Sequence, residues 1–271
     1  MEIKTDDIDE LAEGIVLKYS TEFPINPIQI ASKLKIEVIE GNYETFFKGL
    51  IKYANGCFYI LLNLDILKNR RYAMARYTCS HELGHFFLPN HRRRLKLGQS
   101  IAFSRSELKD SSKKVIEDEA QQFGASLLMP KAHFNASYLE FGKYGFEAIL
   151  ALKTYYEVSV SAALIRFTHL NLQPSISIFW NEQGIINKGV SRDFETAVGS
   201  KEIFLKLNLE RPLLEEENVT DELTGVEYKR SFTPLSSWCY NLPKEMTNEY
   251  FVLEETQYSK WYNLTLLTID E

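Results

Sequence analysis

Apolar residues at Ile8, Leu11, Ala12, Ile15, Val16 and Tyr19 recur at the three-and-four spacing of a helix with one buried stripe. After a break at 23–27, Asn26-Pro27-Ile28-Gln29 has the order of a helix start: a capping side chain, a proline suited to the first turn, and Gln three residues after the cap. A short helix through Ile30 and Leu34 is predicted, then a strand over 36–39. Two more strand-like runs, 46–53 and 57–63, flank Ala54-Asn55-Gly56, where Asn-Gly supplies the left-handed backbone of a tight hairpin. A long helix is predicted over 69–87, stopped by Pro89.

Residues 90–112 are polar and rich in Arg, Lys and Ser, and they read as a mobile loop. Ser111 or Ser112 can cap a helix over 113–129, which Pro130 ends. A short helical piece follows, then helix, turn and helix over 146–171, turning at Val158-Ser159-Val160-Ser161. Pro174 marks a change. Ser175-Ile176-Ser177-Ile178-Phe179-Trp180 alternates with the period of a strand, and the remainder mixes short β-like runs with acidic segments such as Glu215-Glu216-Glu217. The pattern predicts an α+β fold in two parts. Residues 1–171 form the first domain, including the helix-turn-helix-like segment 146–171. Residues 172–271 form a small β-rich module suited to substrate docking or regulation.

Composition changes this picture little. Hydrophobic residues make up 45% and charged residues 25%, ordinary values for a globular protein. The formal net charge of -6 argues against a general nucleic-acid binder, and only Arg166 and His169 in the second helix of 146–171 could serve as basic contacts, so direct DNA binding is not expected. The first residues lack the apolar core of a signal peptide, no run of 18 apolar residues occurs, and the three cysteines are widely spaced. A reducing, cytoplasmic setting away from membranes is the expectation.

The chemistry concentrates in His81-Glu82-Leu83-Gly84-His85. On a helix His81 and His85 stand one above the other, so both imidazoles can reach one metal ion. Glu82 is rotated off that line and can instead take a proton from a water, as a general base. A catalytic zinc site needs a third protein ligand. Glu117 is the candidate, because Glu117, Gln121 and Gly124 share a stripe and the small Gly124-Ala125-Ser126 allow close approach of two helices. Glu119 is rotated about 200° from Glu117 and is not expected to ligate. Gln121 could orient a ligand from behind. Tyr53, Tyr77, His91 and His133 are each possible donors to a reaction oxyanion by residue type. The basic run His91-Arg92-Arg93-Arg94-Leu95-Lys96 reads as a solvated surface near the site.

Arg76 to His85, Glu117 to Pro130, the segment Pro24 to Ala31 and the hairpin before the His-Glu motif together resemble the ImmA/IrrE family of zinc metallopeptidases over roughly residues 7–171. The resemblance implies a zincin-like metallopeptidase core with zinc held by His81, His85 and Glu117 and with Glu82 as catalytic base. It also implies regulatory proteolysis, often from mobile elements, with a helix-turn-helix transcriptional repressor as the protein substrate. Three features depart from the family's pattern. Gln121 stands where Asn or Asp is frequent, Pro89 where a further His is common, and no DNA-binding domain fits before Asp7. The competing expectation is a non-enzymatic regulator that binds its partner and uses the metal structurally. An intact Glu82 favours the enzyme, since a structural zinc has no use for a general base.

Overall fold

The computed structural model describes residues 4–20, 22–67, 72–99, 107–200, 202–208, 210–243 and 250–269. By contact the chain divides into two compact units, Met1–Phe134 with Tyr155–Val158, and Asn135–Thr154 with Ser159–Glu271. The stretch over 146–171 therefore goes with the β-rich part, apart from 155–158, whereas the sequence pattern puts the division at 171.

The first unit begins with α1 (Thr5–Tyr19) and α2 (Pro27–Lys33), followed by β1 (Glu37–Gly41), β2 (Gly49–Ala54) and β3 (Cys57–Asn63). Then come α3 (Leu64–Leu67), α4 (Tyr72–Phe87), α5 (Pro89–Lys96) and α6 (Ser111–Leu128). The stripe on α1 is buried at Ile8, Ala12, Ile15 and Val16, and α1 packs on α6. Asn26 caps α2, its side chain accepting from the backbone N–H groups of Ile28 at 3.1 Å and Gln29 at 3.3 Å. Asn55 and Gly56 both take positive φ, 52° and 82°, which gives the hairpin turn the hand that matches strand twist. Phe58, Ile60 and Leu62 of β3 alternate into the core. The sheet runs β1-β3-β2, with β1 parallel and β2 antiparallel to β3, so β2 is an edge among the described residues. Arg76 of α4 is buried and donates to the backbone carbonyls of Ile25, Tyr156 and Glu157, which ties three distant parts of the chain together.

Three local expectations need correction. The strand expected from residue 46 begins at Gly49. Residues 89–96 are helix rather than loop, because Pro89 fits the first turn, where no backbone N–H is required, and His91 and Leu95 form a buried i, i+4 pair under a basic exposed face. The cap of α6 is Asp110, whose carboxylate accepts from the Ser112 N–H at 2.9 Å, not Ser111 or Ser112. The expected start of the long helix at 69 and the loop residues 100–106 lie outside the described residues.

The helix α7 (Lys131–Phe141) starts in the first unit and ends in the second, and α8 (Gly145–Tyr155) does the reverse. The second unit continues with α9 (Val160–His169), β4 (Ser175–Asn181), β5 (Gly184–Val190), α10 (Arg192–Val198), β6 (Leu214–Thr220), β7 (Glu227–Pro234), β8 (Phe251–Gln257) and β9 (Asn263–Thr268). These strands form an antiparallel sheet in the order β5-β4-β9-β8-β7-β6, the larger of the two sheets. Ile176, Ile178 and Trp180 of β4 enter a core with Phe194, Trp238, Val252 and Leu267. α9 packs on β4 and β5. α8 and α9 meet at 116°, and of the two basic residues that a DNA contact could use Arg166 is buried and His169 exposed. No single helix among the described residues is long and apolar enough to cross a membrane.

Candidate metal centre

Two glycines bring the site together. A side chain at Gly124 of α6 would put its Cβ 3.1 Å from the His81 backbone nitrogen and 3.3 Å from its Cα, a crowding that α6 and α4 could relieve only by moving a few tenths of an ångström. Gly49 does the same for β2: a Cβ there would fall 2.9 Å from the Glu82 carboxylate and still nearer to the Thr78 methyl. The His-bearing helix is thereby held between an edge strand and a second helix.

His81 and His85 present their Nε2 atoms to each other at 3.2 Å. Glu117 Oε2 lies 3.4 Å from His81 Nε2, and its Oε1 lies 4.0 Å from His85 Nε2. Ligands held tetrahedrally at about 2.0–2.1 Å from one zinc stand about 3.3–3.4 Å apart; the His81–His85 and His81–Glu117 spacings are close to such an edge, and the 4.0 Å His85–Glu117 spacing is longer. One donor atom from each of the three side chains falls within 4.8 Å of the others. The donor set, two imidazoles and a carboxylate, is also one that zinc accepts. The residues fit the metal that the motif implies.

The electrostatics point the same way. Burial, with the neighbouring His81 and His91, pushes His85 well below the usual histidine range, so it is neutral with one ring nitrogen bare. For His81 burial is the largest influence and acts downward, but the Glu117 hydrogen bond and the charges of Glu82 and Glu117 outweigh it and raise the imidazole. Burial lifts Glu82 to about 7; His81 opposes this, Glu117 adds to it, and a hydrogen bond from the Ile51 backbone N–H holds it back. A carboxylate near 7 suits acceptance of a proton at neutral pH. Tyr77 is pushed up to about 12 by burial and by Glu117, so its hydroxyl stays a donor.

These residues line a cleft of about 820 Å³, which the 45–50 segment and Met74 also border. Phe46 is 81% exposed at its edge. Of the four candidate oxyanion donors, Tyr77 lines the cleft. Tyr53 packs on Phe58, and His133 pairs with the Tyr156 hydroxyl at 2.5 Å. Gln121, expected behind a ligand, is exposed at the cleft instead. The place behind His85 belongs to His91 and Glu119. His91 Nδ1 lies 3.1 Å from His85 Nδ1, and His91 Nε2 lies 2.8 Å from Glu119 Oε2. The rotation that takes Glu119 away from the ligands aims it at His91. No spacing rule in the sequence marks this pair, since 28 residues and a helix break separate its members. Of the basic run, the Arg92 guanidinium lies over the Phe86 ring at 4.6 Å.

Comparison with known proteins fits this geometry. The family model for the IrrE N-terminal-like domain, peptidase family M78, matches residues 64–168. A protein of Bacillus phage phi105, described as an uncharacterized immunity region protein 2, is 30% identical over 123 residues, covering 45% of this chain and 68% of the phage protein. A solved structure described as a Mycobacterium tuberculosis transcriptional regulator aligns with a TM-score of 0.55 over 97% of this chain and 76% of the other. At 11% identity that likeness is one of fold.

Proposed function

The chain belongs to the ImmA/IrrE family, and from that premise we propose that it is a zinc-dependent endopeptidase with a zincin-like core, cutting a helix-turn-helix transcriptional repressor in the cytoplasm. The observation that carries this reading is the convergence of His81, His85 and Glu117 beside a buried carboxylate, all in one open cleft. His81, His85 and Glu117 would hold the zinc. The chemistry a bound zinc supplies is Lewis acidity, which polarises a scissile carbonyl and makes water a stronger acid.

Glu82 does the proton work. Its carboxylate accepts a proton from the attacking water and delivers it to the departing amine. The Ile51 N–H and the close approach of Gly49 hold that carboxylate in place. Tyr77, protonated at neutral pH, donates to the oxyanion of the tetrahedral intermediate. The cleft opens beside the edge strand β2, so a backbone must be extended to enter, and flexible segments of a partner are the accessible targets.

The repressor assignment follows from the family and is supported by one description. The phage relative is described as an immunity region protein. A protease from a mobile element with a transcription-control partner accounts for it. Incubation of the zinc-loaded protein with the repressor encoded beside it should yield discrete fragments, and a chelator should prevent them. A repressor left intact under conditions that activate the enzyme overturns the substrate assignment.

A further inference from the structure

Behind His85, the carboxylate of Glu119 accepts but does not donate when ionised, so the hydrogen bond at 2.8 Å requires His91 to carry its proton on Nε2. A neutral His91 then has a bare Nδ1. That atom faces His85 Nδ1 at 3.1 Å, and one of the two must donate. The proton therefore belongs to His85 Nδ1, which leaves His85 Nε2 bare on the side of His81 and Glu117. The side chains of His85, His91 and Glu119 are 2%, 1% and 8% exposed, so bulk water offers little competition for these bonds.

We infer that Glu119 and His91 are a positioning pair that fixes His85 as the Nδ1–H tautomer and keeps its Nε2 lone pair aimed into the metal site. The inference rests on the reading of His85 as a ligand. A carboxylate that backs a ligating histidine is a familiar device; here a second imidazole extends it by one link. The pair has a directional requirement. If Glu119 is replaced by a group able to donate, His91 can turn its proton to Nδ1. His85 Nδ1 must then accept, and its only proton moves to Nε2, where it blocks the metal. His91 also follows the break at Leu88 and Pro89, which turns α5 back so that this residue, and not its neighbours Arg92 and Arg93, is buried against His85.

The test has one arm without metal and one with it. Long-range nitrogen–proton NMR on the metal-free wild type at neutral pH should show His85 as the Nδ1–H tautomer and His91 as the Nε2–H tautomer. His85 protonated on Nε2 there overturns the inference. In the second arm, zinc affinity is measured by chelator competition for wild type, Glu119→Gln, His91→Leu and the double variant, with folding checked by circular dichroism. Each single change should weaken zinc by about 10–100-fold, the range usual for such supporting bonds. The double variant should be no weaker than the poorer single one, because both act through one path. Zinc affinity unchanged in a folded Glu119→Gln overturns the pair while the metal site stands. A wild type with both tautomers in place that takes up no zinc instead overturns the metal reading, and with it the purpose assigned to the pair.

Discussion

Arg211 and Glu254 in one unit and His81, Glu82, His85 and Glu117 in the other are both polar clusters set into a protein interior, and they differ in where their bonding capacity points. Glu254 receives the Arg211 guanidinium on both oxygens and also accepts from Trp238 Nε1 at 2.8 Å and Thr256 at 3.3 Å. Arg211 gives a further hydrogen bond to the Asn208 carbonyl and lies over the Trp238 ring at 4.5 Å. Opposite charges close on each other, and donors are matched by acceptors. In the candidate metal centre the potential ligand atoms face one another across open space. Two imidazole nitrogens and a carboxylate turn possible ligand atoms toward a common region in an open cleft, with a second carboxylate alongside. Burial by itself does not separate a structural cluster from a functional one. The direction in which the polar atoms converge does, and there the donor set is one that could hold a metal ion.

The sharpest way to break this comparison is to remove chemistry without removing a ligand. Glu82→Gln should keep its zinc, by metal analysis, and lose about 10²–10⁴-fold in repressor cleavage, because an amide cannot accept the proton. Cleavage at the wild-type rate would take Glu82 out of the reaction. In the closed cluster the corresponding change is one of stability. Arg211→Met leaves the Glu254 charge buried without its partner and should cost about 3–5 kcal/mol in denaturant unfolding, with zinc affinity unaltered. A smaller effect would mean that the pair is not closed as described. Gly124→Ala probes the packing that assembles the centre. Its new methyl meets the His81 backbone, so α6 must shift, and a loss of about 1–3 kcal/mol is expected together with weaker zinc binding. The mildest probe is thiol labelling of the native protein. Cys57 is exposed and should react, whereas Cys79 and Cys239 are buried, their thiols pushed up to about 12 mainly by that burial, and should wait for unfolding. Rapid labelling of Cys79 would show that the back of α4 opens.

What the sequence made legible follows from range. The convergence of His81, His85 and Glu117 could be read because helical period is local, and because the small residue at Gly124 announces close packing of two helices. The Asn26 cap and the Asn55-Gly56 turn are likewise settled within a few residues. α5 was hidden because Arg92, Arg93, Arg94 and Lys96 dominate its pattern, while only His91 and Leu95 anchor it. The pairing of His91 with Glu119 depends on how two helices meet, and the insertion of β9 between β4 and β8 depends on the last strand of the chain. Neither leaves a mark at short range. The division into units is hidden for the same reason, since it is decided by contacts and not by a linker of distinctive composition.

That division has a consequence for inheritance. The chain leaves its first unit after Phe134, returns for Tyr155–Val158, and leaves again. The brief return supplies the carbonyls of Tyr156 and Glu157 to Arg76, and the Tyr156 ring to Phe23, His133 and Phe134. A genetic crossover anywhere between residues 134 and 159 therefore cannot exchange one unit whole. It would join the Arg76 end of this network to a return segment from another parent, or split the helices that carry the chain across. The two units are interleaved in the gene, not arranged in tandem, and under recombination they travel as one cassette.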